Sequence, residues 1–156
     1  MDIEPNNTEK IQKYLTFSLG EEIYAINIFY IQEVVQHIEN IIKIHNSPDY
    51  ILGIVDLQNK AIPIIDLRIF YQLPIKNNTK PYIMIIVNVE DCFYGILVDT
   101  ILDIIDVTQE NLTLFDLEKI ILQNYIAGLI KIENATFSIF NIKKFIQEEI
   151  TKIHSM

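Results

Sequence analysis

The middle of the chain consists of short runs rich in isoleucine and valine, which turn-forming residues separate. Short β-branched runs without long helices between them are typical of a β-barrel or a β-sandwich, and they disfavour a parallel α/β sheet. The runs are Ile51 to Leu57, Ala61 to Leu67, Tyr82 to Val89 and Cys92 to Ile105. This spacing predicts a mainly all-β fold.

More strands are predicted towards both ends of the chain. Residues 14–19 alternate apolar and polar side chains, which predicts a strand with one buried face. The turn-forming segment 20–22 leads into a second apolar run at 23–28, so these two runs predict a hairpin. A final pair of strand-like runs covers 125–132 and 136–142.

Two segments have the spacing of helices. The apolar residues of 28–36 are three, three and one positions apart, which predicts a short helix near 28–36 with Asn27 as its N-cap. Residues 142–153 carry one apolar stripe opposite lysine, glutamine and glutamate side chains. They predict an amphipathic C-terminal helix that packs on the β core, and docking of a partner is the alternative role for its apolar face.

The length of the chain restricts its domain organisation. With 156 residues it is long enough for one domain, or for two small halves that share a core. Residues 1–11 are polar and lack a periodic apolar face, so we expect a flexible N-terminal tail there. We expect the folded domain to span residues 12–153.

Composition restricts the location of the protein and its partners. The longest uninterrupted apolar runs stop at six residues, whereas a bilayer-spanning helix needs about 20, so we expect no insertion into a membrane. The N-terminal segment lacks the basic and apolar regions of a secretion signal, which favours the cytoplasm. The formal net charge is −9, and this acidic field disfavours nucleic acid as a partner.

Catalytic and cofactor-binding patterns are lacking in the sequence. The four glycines lie more than thirty positions apart, so no glycine-rich loop can hold a phosphate, and no serine stands in a G-x-S-x-G turn. The single cysteine, Cys92, lies in a strand-like run without a cationic neighbour, which favours a core or strand residue over a nucleophile. These observations predict a protein that is not an enzyme and binds no cofactor.

Two groupings of polar residues leave alternatives open. His37 and His45 could hold a metal together with Asp49, although two solvated residues flanking a loop are the simpler interpretation. The carboxylates of Asp99, Asp103 and Asp106 could do acid–base work if their environments separated their pKa values. Because they alternate with isoleucine and leucine, an edge strand with an aqueous face is favoured instead.

Four sequence motifs, taken together, resemble the CheW domain, a family of chemotaxis proteins. Each motif alone is weak, whereas four in the family's order over about residues 14–150 are specific. The motifs are Tyr14-Leu15-Thr16-Phe17-Ser18-Leu19-Gly20, then Gly53-Ile54-x-x-Leu57 with Ile62-Pro63-Ile64-Ile65-Asp66-Leu67-Arg68, then Gly95-Ile96-Leu97-Val98-Asp99, and finally Tyr125-x-x-Gly128.

The resemblance implies both a fold and a function. The fold would be two intertwined five-stranded SH3-like β-barrels with a C-terminal helix, in agreement with the strand pattern. The function would be that of a non-catalytic adaptor that couples transmembrane chemoreceptors to the histidine kinase CheA in bacterial chemotaxis. The implied partners are the regulatory domain of CheA, the cytoplasmic tips of methyl-accepting chemoreceptors and further CheW copies in a ring. The adaptor would lie in the cytoplasm at membrane-bound receptor arrays.

The resemblance also implies a receptor-binding groove. By position, this groove would include Ile31 and Glu33 from the predicted short helix, and Gly95, Ile101 and Ile104 from the second half of the chain. The isoleucines would receive the face of a receptor helix, and Gly95 would allow a backbone to approach closely. Ordinary core packing is the alternative for the isoleucines, and a solvated residue is the alternative for Glu33.

One candidate partner-binding position departs from the family pattern. Where the family reads Asn-Leu-Arg-Gly, this chain reads Asp56-Leu57-Gln58-Asn59. A glutamine amide is neutral and cannot form the bidentate ion pair of a guanidinium, so a charge-assisted partner contact at Gln58 would be lost. This departure favours, as an alternative function, a scaffold paralogue that forms array rings without direct receptor coupling. A small-molecule-binding or hydrolytic β domain is a third class. It would need a polar pocket with converging titratable groups, and nothing in the sequence indicates one.

Overall fold

The protein forms two β-sheets in a computed structural model. The structure describes residues 10–36, 38–74, 83–115 and 124–150. In chain order the strands are β1 (Gln12–Leu19), β2 (Glu22–Asn27), β3 (Ile31–Gln36), β4 (Ile51–Leu57), β5 (Lys60–Asp66), β6 (Ile83–Val89), β7 (Cys92–Val98), β8 (Thr100–Val107), β9 (Leu112–Leu114), β10 (Ile126–Ile132) and β11 (Ala135–Phe140). The first sheet has the order β8-β1-β2-β11-β10-β9, and the second has the order β3-β6-β7-β5-β4.

The chain begins in the first sheet, builds the second, and then returns to the first. Strand β1 pairs antiparallel with β8, and β2 pairs in parallel with β11, so the N-terminal hairpin joins the C-terminal strands. This exchange of strands makes the two halves intertwined, as the resemblance to the family implied. The first sheet has a sixth strand, the short β9, which the five-stranded expectation did not include.

Three buried clusters fill the two halves. The largest lies between the sheets and takes residues from both, for example Phe17 of β1, Ile96 of β7 and Phe145 near the C-terminus. A second cluster, which includes Ile62 and Met84, belongs to the second sheet alone. A third cluster belongs to the first sheet alone. We call the largest cluster the shared core, because it is what fixes the two halves to each other.

The predicted helix near 28–36 is wrong in most of its length. Only Ile28–Tyr30 are helical, as one 3₁₀ turn, and Asn27 caps that turn by accepting a hydrogen bond from the backbone N–H of Phe29 at 2.9 Å. The residues that follow form β3, which pairs with β6. The pairing register shifts between Ile31 and Glu33, and such a bulge interrupts the period-two alternation of a strand. The resulting apolar spacing imitates that of a helix.

The predicted C-terminal helix is confirmed over the described residues. It is α-helical at Ile142–Phe145 and continues as a π-helical turn at Ile146–Ile150, while residues 151–153 of the prediction lie outside the described part of the chain. Its apolar stripe is buried, and Phe145 packs edge-on against Phe70 with ring centroids 5.0 Å apart. Phe70 belongs to a short helix, α1 (Leu67–Phe70), so the C-terminal helix, α2, closes over the shared core.

Candidate docking surfaces

Ile31 and Ile101 lie along the margin of the shared core, and Ile104 lies three residues beyond Ile101 on β8. Ile31, the first residue of β3, and Ile101 of β8 are half-buried and both pack against that core. Ile104 lies farther along β8 and is 55% exposed. The structure therefore gives the first two residues a packing role, as the core alternative predicted, and leaves Ile104 as a free apolar surface.

Strand β8, which carries Ile101 and Ile104, is an edge strand with a bulge. The register against β1 shifts between Leu15 and Phe17, and Thr16 turns inward there and is buried. The Thr16 hydroxyl donates to the carbonyl oxygen of Asp103 at 2.8 Å and accepts from the Asp103 backbone N–H at 2.9 Å. These two bonds hold β8 in place at the bulge, and a bulge also discourages indiscriminate strand addition at an edge.

Glu33 and Gly95 lie in one row across the second sheet, since Ile86 of β6 pairs with both of them. Glu33 is exposed on the edge strand β3, whereas Gly95 is buried on the central strand β7. A Cβ atom added at Gly95 would meet the Met84 sulfur at 2.2 Å. Within the chain, the absence of a side chain at Gly95 lets Met84 approach closely. A close approach of a partner's backbone at Gly95 remains a prediction.

Gln58 lies at the tip of the β4–β5 hairpin. Gln58 and Asn59 have φ values of 52° and 64°, the left-handed pair of a type I′ turn. The preceding residue, Leu57, lines a cavity together with Val35 of β3. Gln58 thus follows a residue that lines this cavity, and Glu33 precedes Val35 by two positions on β3, the strand that Ile31 begins.

A buried charge cluster was not recognised as such from the sequence. Arg68 and Asp66 are 5% and 2% exposed, and the guanidinium donates to the Asp66 carboxylate from Nε at 3.0 Å and from Nη2 at 2.9 Å. Arg68 Nη1 also lies 3.5 Å from the carboxylate of Asp99, which accepts from the backbone N–H of Gly20 at 2.7 Å. The hydrogen bonds to Asp66 raise the pKa of Arg68, while burial opposes them.

Asp99 therefore differs from the solvated acidic residues with which the sequence grouped it. It is half-buried and lies between β7 and β8, where it joins Arg68, which follows β5 of the second sheet, to the β1–β2 turn of the first sheet. Asp103 and Asp106 lie exposed on the edge strand β8, as predicted. The signal that could have identified the cluster was Asp66-Leu67-Arg68, an acid two residues before an arginine in an otherwise apolar run.

Tyrosine hydroxyls attach the C-terminal helix to the rest of the chain. Tyr50 and Tyr125 donate to the Glu149 carboxylate at 2.8 Å and 2.5 Å. Burial, followed by the contact with Glu149, raises the pKa of both tyrosines. The helix face that the sequence offered as an alternative docking surface is thereby committed to packing within the chain.

The remaining polar candidates do not converge on a site in the described residues. Cys92 begins β7, as a strand residue, and is exposed. In the part of the chain that the structure describes, no group of three or more histidine, cysteine, aspartate or glutamate side chains is arranged to hold a metal, and His37 lies outside that part. No helix among the described residues is long and apolar enough to cross a membrane.

Two intertwined β-sheets around a shared core, with exposed apolar side chains on the edge strands β8 and β9, define a β-rich domain whose surface suits contact with other proteins. The family model of the CheW-like domain matches residues 13–149. The chain belongs to this family, as the four motifs indicated.

Named relatives and a solved structure agree with this assignment. The chain is 37% identical over 109 residues to the chemotaxis protein CheW of Treponema pallidum, covering 67% of this chain and 63% of that protein. It is 33% identical over 101 residues to the chemotaxis protein CheW of Klebsiella aerogenes, covering 65% of this chain and 60% of the relative. The matched part thus spans less than two thirds of either relative.

The solved structure is that of the scaffolding protein CheW from Thermoanaerobacter tengcongensis. It superposes with a TM-score of 0.72 at 30% identity, covering 82% of this chain and 87% of the other. The predicted fold class, mainly β with two intertwined halves and a C-terminal helix, is therefore confirmed, with the exceptions described above.

Proposed function

We propose that this chain is a non-catalytic adaptor that couples chemoreceptors to the histidine kinase CheA in the cytoplasm at receptor arrays. Its membership of the CheW-like family and its likeness to chemotaxis proteins support a role in coupling or scaffolding. The observation that carries the proposal most directly is Ile104, a large aliphatic side chain that is 55% exposed on an edge strand. Exposed apolar surface of this kind is what a helix of a receptor hairpin would cover.

In this proposal, the receptor groove follows the margin of the shared core. Ile104 supplies its free apolar surface, while Ile31 and Ile101 form its half-buried wall. Glu33 and Gln58 form a second group on the exposed surface of the second sheet, and Gly95 is buried within that sheet. We therefore expect the residues of the second group to affect binding less than Ile104 does, unless the partner spans both parts.

The receptor contact can be tested with two matched exposed residues. Ile104 and Leu114 are 55% and 66% exposed, and they lie on β8 and β9, the opposite edge strands of one sheet. Neither Ile104→Ser nor Leu114→Ser removes a buried side chain, so both variants should fold. Removing about 1.5 kcal/mol of buried apolar contact should weaken binding of a receptor-tip fragment about tenfold for Ile104→Ser.

Leu114→Ser is the control, because the groove does not include β9. Fluorescence anisotropy of a labelled, dimerised receptor-tip fragment measures both dissociation constants. Equal affinities for the wild type and Ile104→Ser would contradict the placement of the groove on β8.

The kinase contact requires a separate measurement. Calorimetric titration of the purified chain with the regulatory domain of CheA from the same cell should give saturable one-to-one binding at micromolar or better affinity. An interface of about 1,200–2,000 Å² is the size class expected for such a stable contact. Absence of heat and of a complex at high concentration would rule out coupling to that kinase.

One observation favours the second candidate function, a ring-forming scaffold without direct receptor coupling. Gln58 stands where the family carries an arginine, and it is exposed at a hairpin tip. A chain that binds the kinase domain or further copies of itself, but no receptor tip, would establish this second function in place of the first.

A further inference from the structure

An open seam separates the two edge strands of the second sheet, β3 and β4. Val35 of β3 and Leu57 of β4 both line a cavity of about 290 Å³, so the two edges face each other across it. Ile38 and Val55, which are 4% and 3% exposed, form its apolar floor. The cavity therefore has a buried apolar base and an opening to solvent.

The backbone conformation of Asn40 explains why this seam is open. Ile42 pairs with Ile54 of β4 through two backbone hydrogen bonds of 2.8 Å. An antiparallel ladder that continued from this pair would next bring Asn40 opposite Asp56. Asn40 instead has a φ of 61°, which is left-handed, so the chain turns away from β4 at that point.

The backbone of Asp56 is left facing the cavity. Leu57 and Lys60 flank the two-residue turn of the hairpin and form a hydrogen-bonded pair, so the next pair, Asp56 with Ala61, is not hydrogen-bonded. The N–H and C=O groups of Asp56 consequently point away from β5, along the same edge on which those of Ile54 bind Ile42. Among the described residues, no backbone group pairs with them.

The rim of the cavity is acidic. Glu39 and Asp56 both line it and are exposed, and neither side chain has an ion pair or a hydrogen bond within the described part of the chain. An occupant with an apolar stem and a cationic, hydrogen-bond-donating head would satisfy the floor, the carboxylates and the free carbonyl together. The formal net charge of −9 adds attraction for such a head.

The volume of the cavity decides the size of the occupant. At about 290 Å³ it lies at the lower limit of the roughly 300–1,000 Å³ of pockets for complete small ligands, so it suits one long side chain. A guanidinium donates in several directions in one plane, which fits a carboxylate and a carbonyl better than an ammonium does. We propose that the seam between β3 and β4 receives an arginine side chain from a partner protein.

The test uses the full chain and a probe that needs neither kinase nor receptor, so it is independent of the proposed function. The ¹⁵N-labelled protein is titrated with the peptide acetyl-Leu-Arg-Leu-amide, and amide chemical shifts are followed by NMR. Saturable shifts should be confined to the surroundings of Val35, Glu39, Ile42 and Asp56. The same peptide with citrulline, a neutral analogue of arginine, should bind at least about fivefold more weakly, because the charge-assisted contact is lost.

Two variants with the same change in charge complete the experiment. Glu39→Gln should weaken binding of the arginine peptide at least about threefold, which is the size of one partly exposed charge contact. Glu110→Gln is the control, since Glu110 is exposed on the 3₁₀ turn Gln109–Asn111, beside the other sheet. The proposal is overturned if shifts scatter over the acidic surface, if citrulline binds as well as arginine, or if both variants weaken binding equally.

Discussion

Replacing Arg68 by methionine should destabilise the fold more than almost any other single change to a polar residue. The guanidinium is the only side-chain donor that the structure gives to the Asp66 carboxylate in the described residues. Arg68→Met keeps the length and apolar volume of the side chain but leaves Asp66, which is 2% exposed, as a buried anion with one backbone partner at 2.9 Å. A buried charge without its counterion is costly.

Two independent estimates give the magnitude. The variant loses the bonds from Nε at 3.0 Å and Nη2 at 2.9 Å, and charge-assisted bonds contribute about 1.5–3 kcal/mol each, or about 3–6 kcal/mol together. Removing one partner of a buried ion pair costs about 3–5 kcal/mol in other proteins. Both estimates centre on about 4 kcal/mol, which corresponds to a fall in Tm of about 8–16 °C for a domain of this size.

Urea denaturation followed by circular dichroism measures the free energy of unfolding of each variant. Arg68→Lys should fall between wild type and Arg68→Met, since it retains the charge but loses the planar fork. The double variant Asp66→Asn, Arg68→Met should recover part of the loss, because the buried anion is gone while the asparagine can still cap α1. Asp99→Asn should cost only about 1 kcal/mol, because its contact with Nη1 is 3.5 Å long and its carboxylate is partly exposed.

The reasoning fails if Arg68→Met lies within about 1 kcal/mol of wild type. It also fails if the double variant is no more stable than Arg68→Met. Either result would mean that water or a rearranged side chain solvates Asp66 in the folded state.

Three further changes follow from the same structure. Gly95→Ala should lower stability by about 1–3 kcal/mol, since the new methyl group would meet the buried Met84 sulfur at 2.2 Å, and Met84→Ala in the same chain should relieve part of this loss in thermal melts. Burial, and then the neighbouring Cys92, raises the pKa of Tyr94 to about 12, above its unfolded value near 10. The stability that Tyr94 contributes through this shift is therefore fully present below about pH 10 and is lost as the pH rises towards 12. Tyr94→Phe should make the free energy of unfolding, measured with urea, depend less on pH between about pH 10 and 11.5. Gln58→Arg should strengthen receptor-tip binding about tenfold in anisotropy titrations if an arginine contact was lost there, and unchanged affinity would favour the ring-scaffold function.

The sequence predicted strands best where side chains alternate regularly and turns are marked by polar residues. Strand β4 has the predicted bounds, β5 is shifted by one residue, and β6 ends at the predicted residue, Val89. The failure at 28–36 has a physical cause, because the bulge at Gln32 interrupts alternation and bulges depend on the partner strand. Strand β9 is three residues long, too short for any periodic signal.

The buried charge cluster shows a different limit of sequence reasoning. Asp99 stands seven positions from Asp106 in a run of similar composition, yet one is half-buried beside Arg68 and the other forms an exposed ion pair with Lys13. Local composition cannot separate the two, because the difference arises from Gly20, which is 79 positions distant in the chain. The aspartate–arginine motif itself was visible, but its partner across the halves was not.

The intertwined topology determines which variants can report on docking. Ile31 follows the N-terminal hairpin and Ile101 comes from the second half, yet both rest on the shared core, where Ile101 lies opposite the fully buried Phe17. A substitution in that core shifts both isoleucines together. A loss of affinity would therefore not show whether a direct contact with the partner was lost or whether the isoleucines had moved. Ile104 is free of this coupling because more than half of its surface is exposed. A comparison of Ile104 with Leu114 therefore separates docking from stability, which the half-buried positions cannot do.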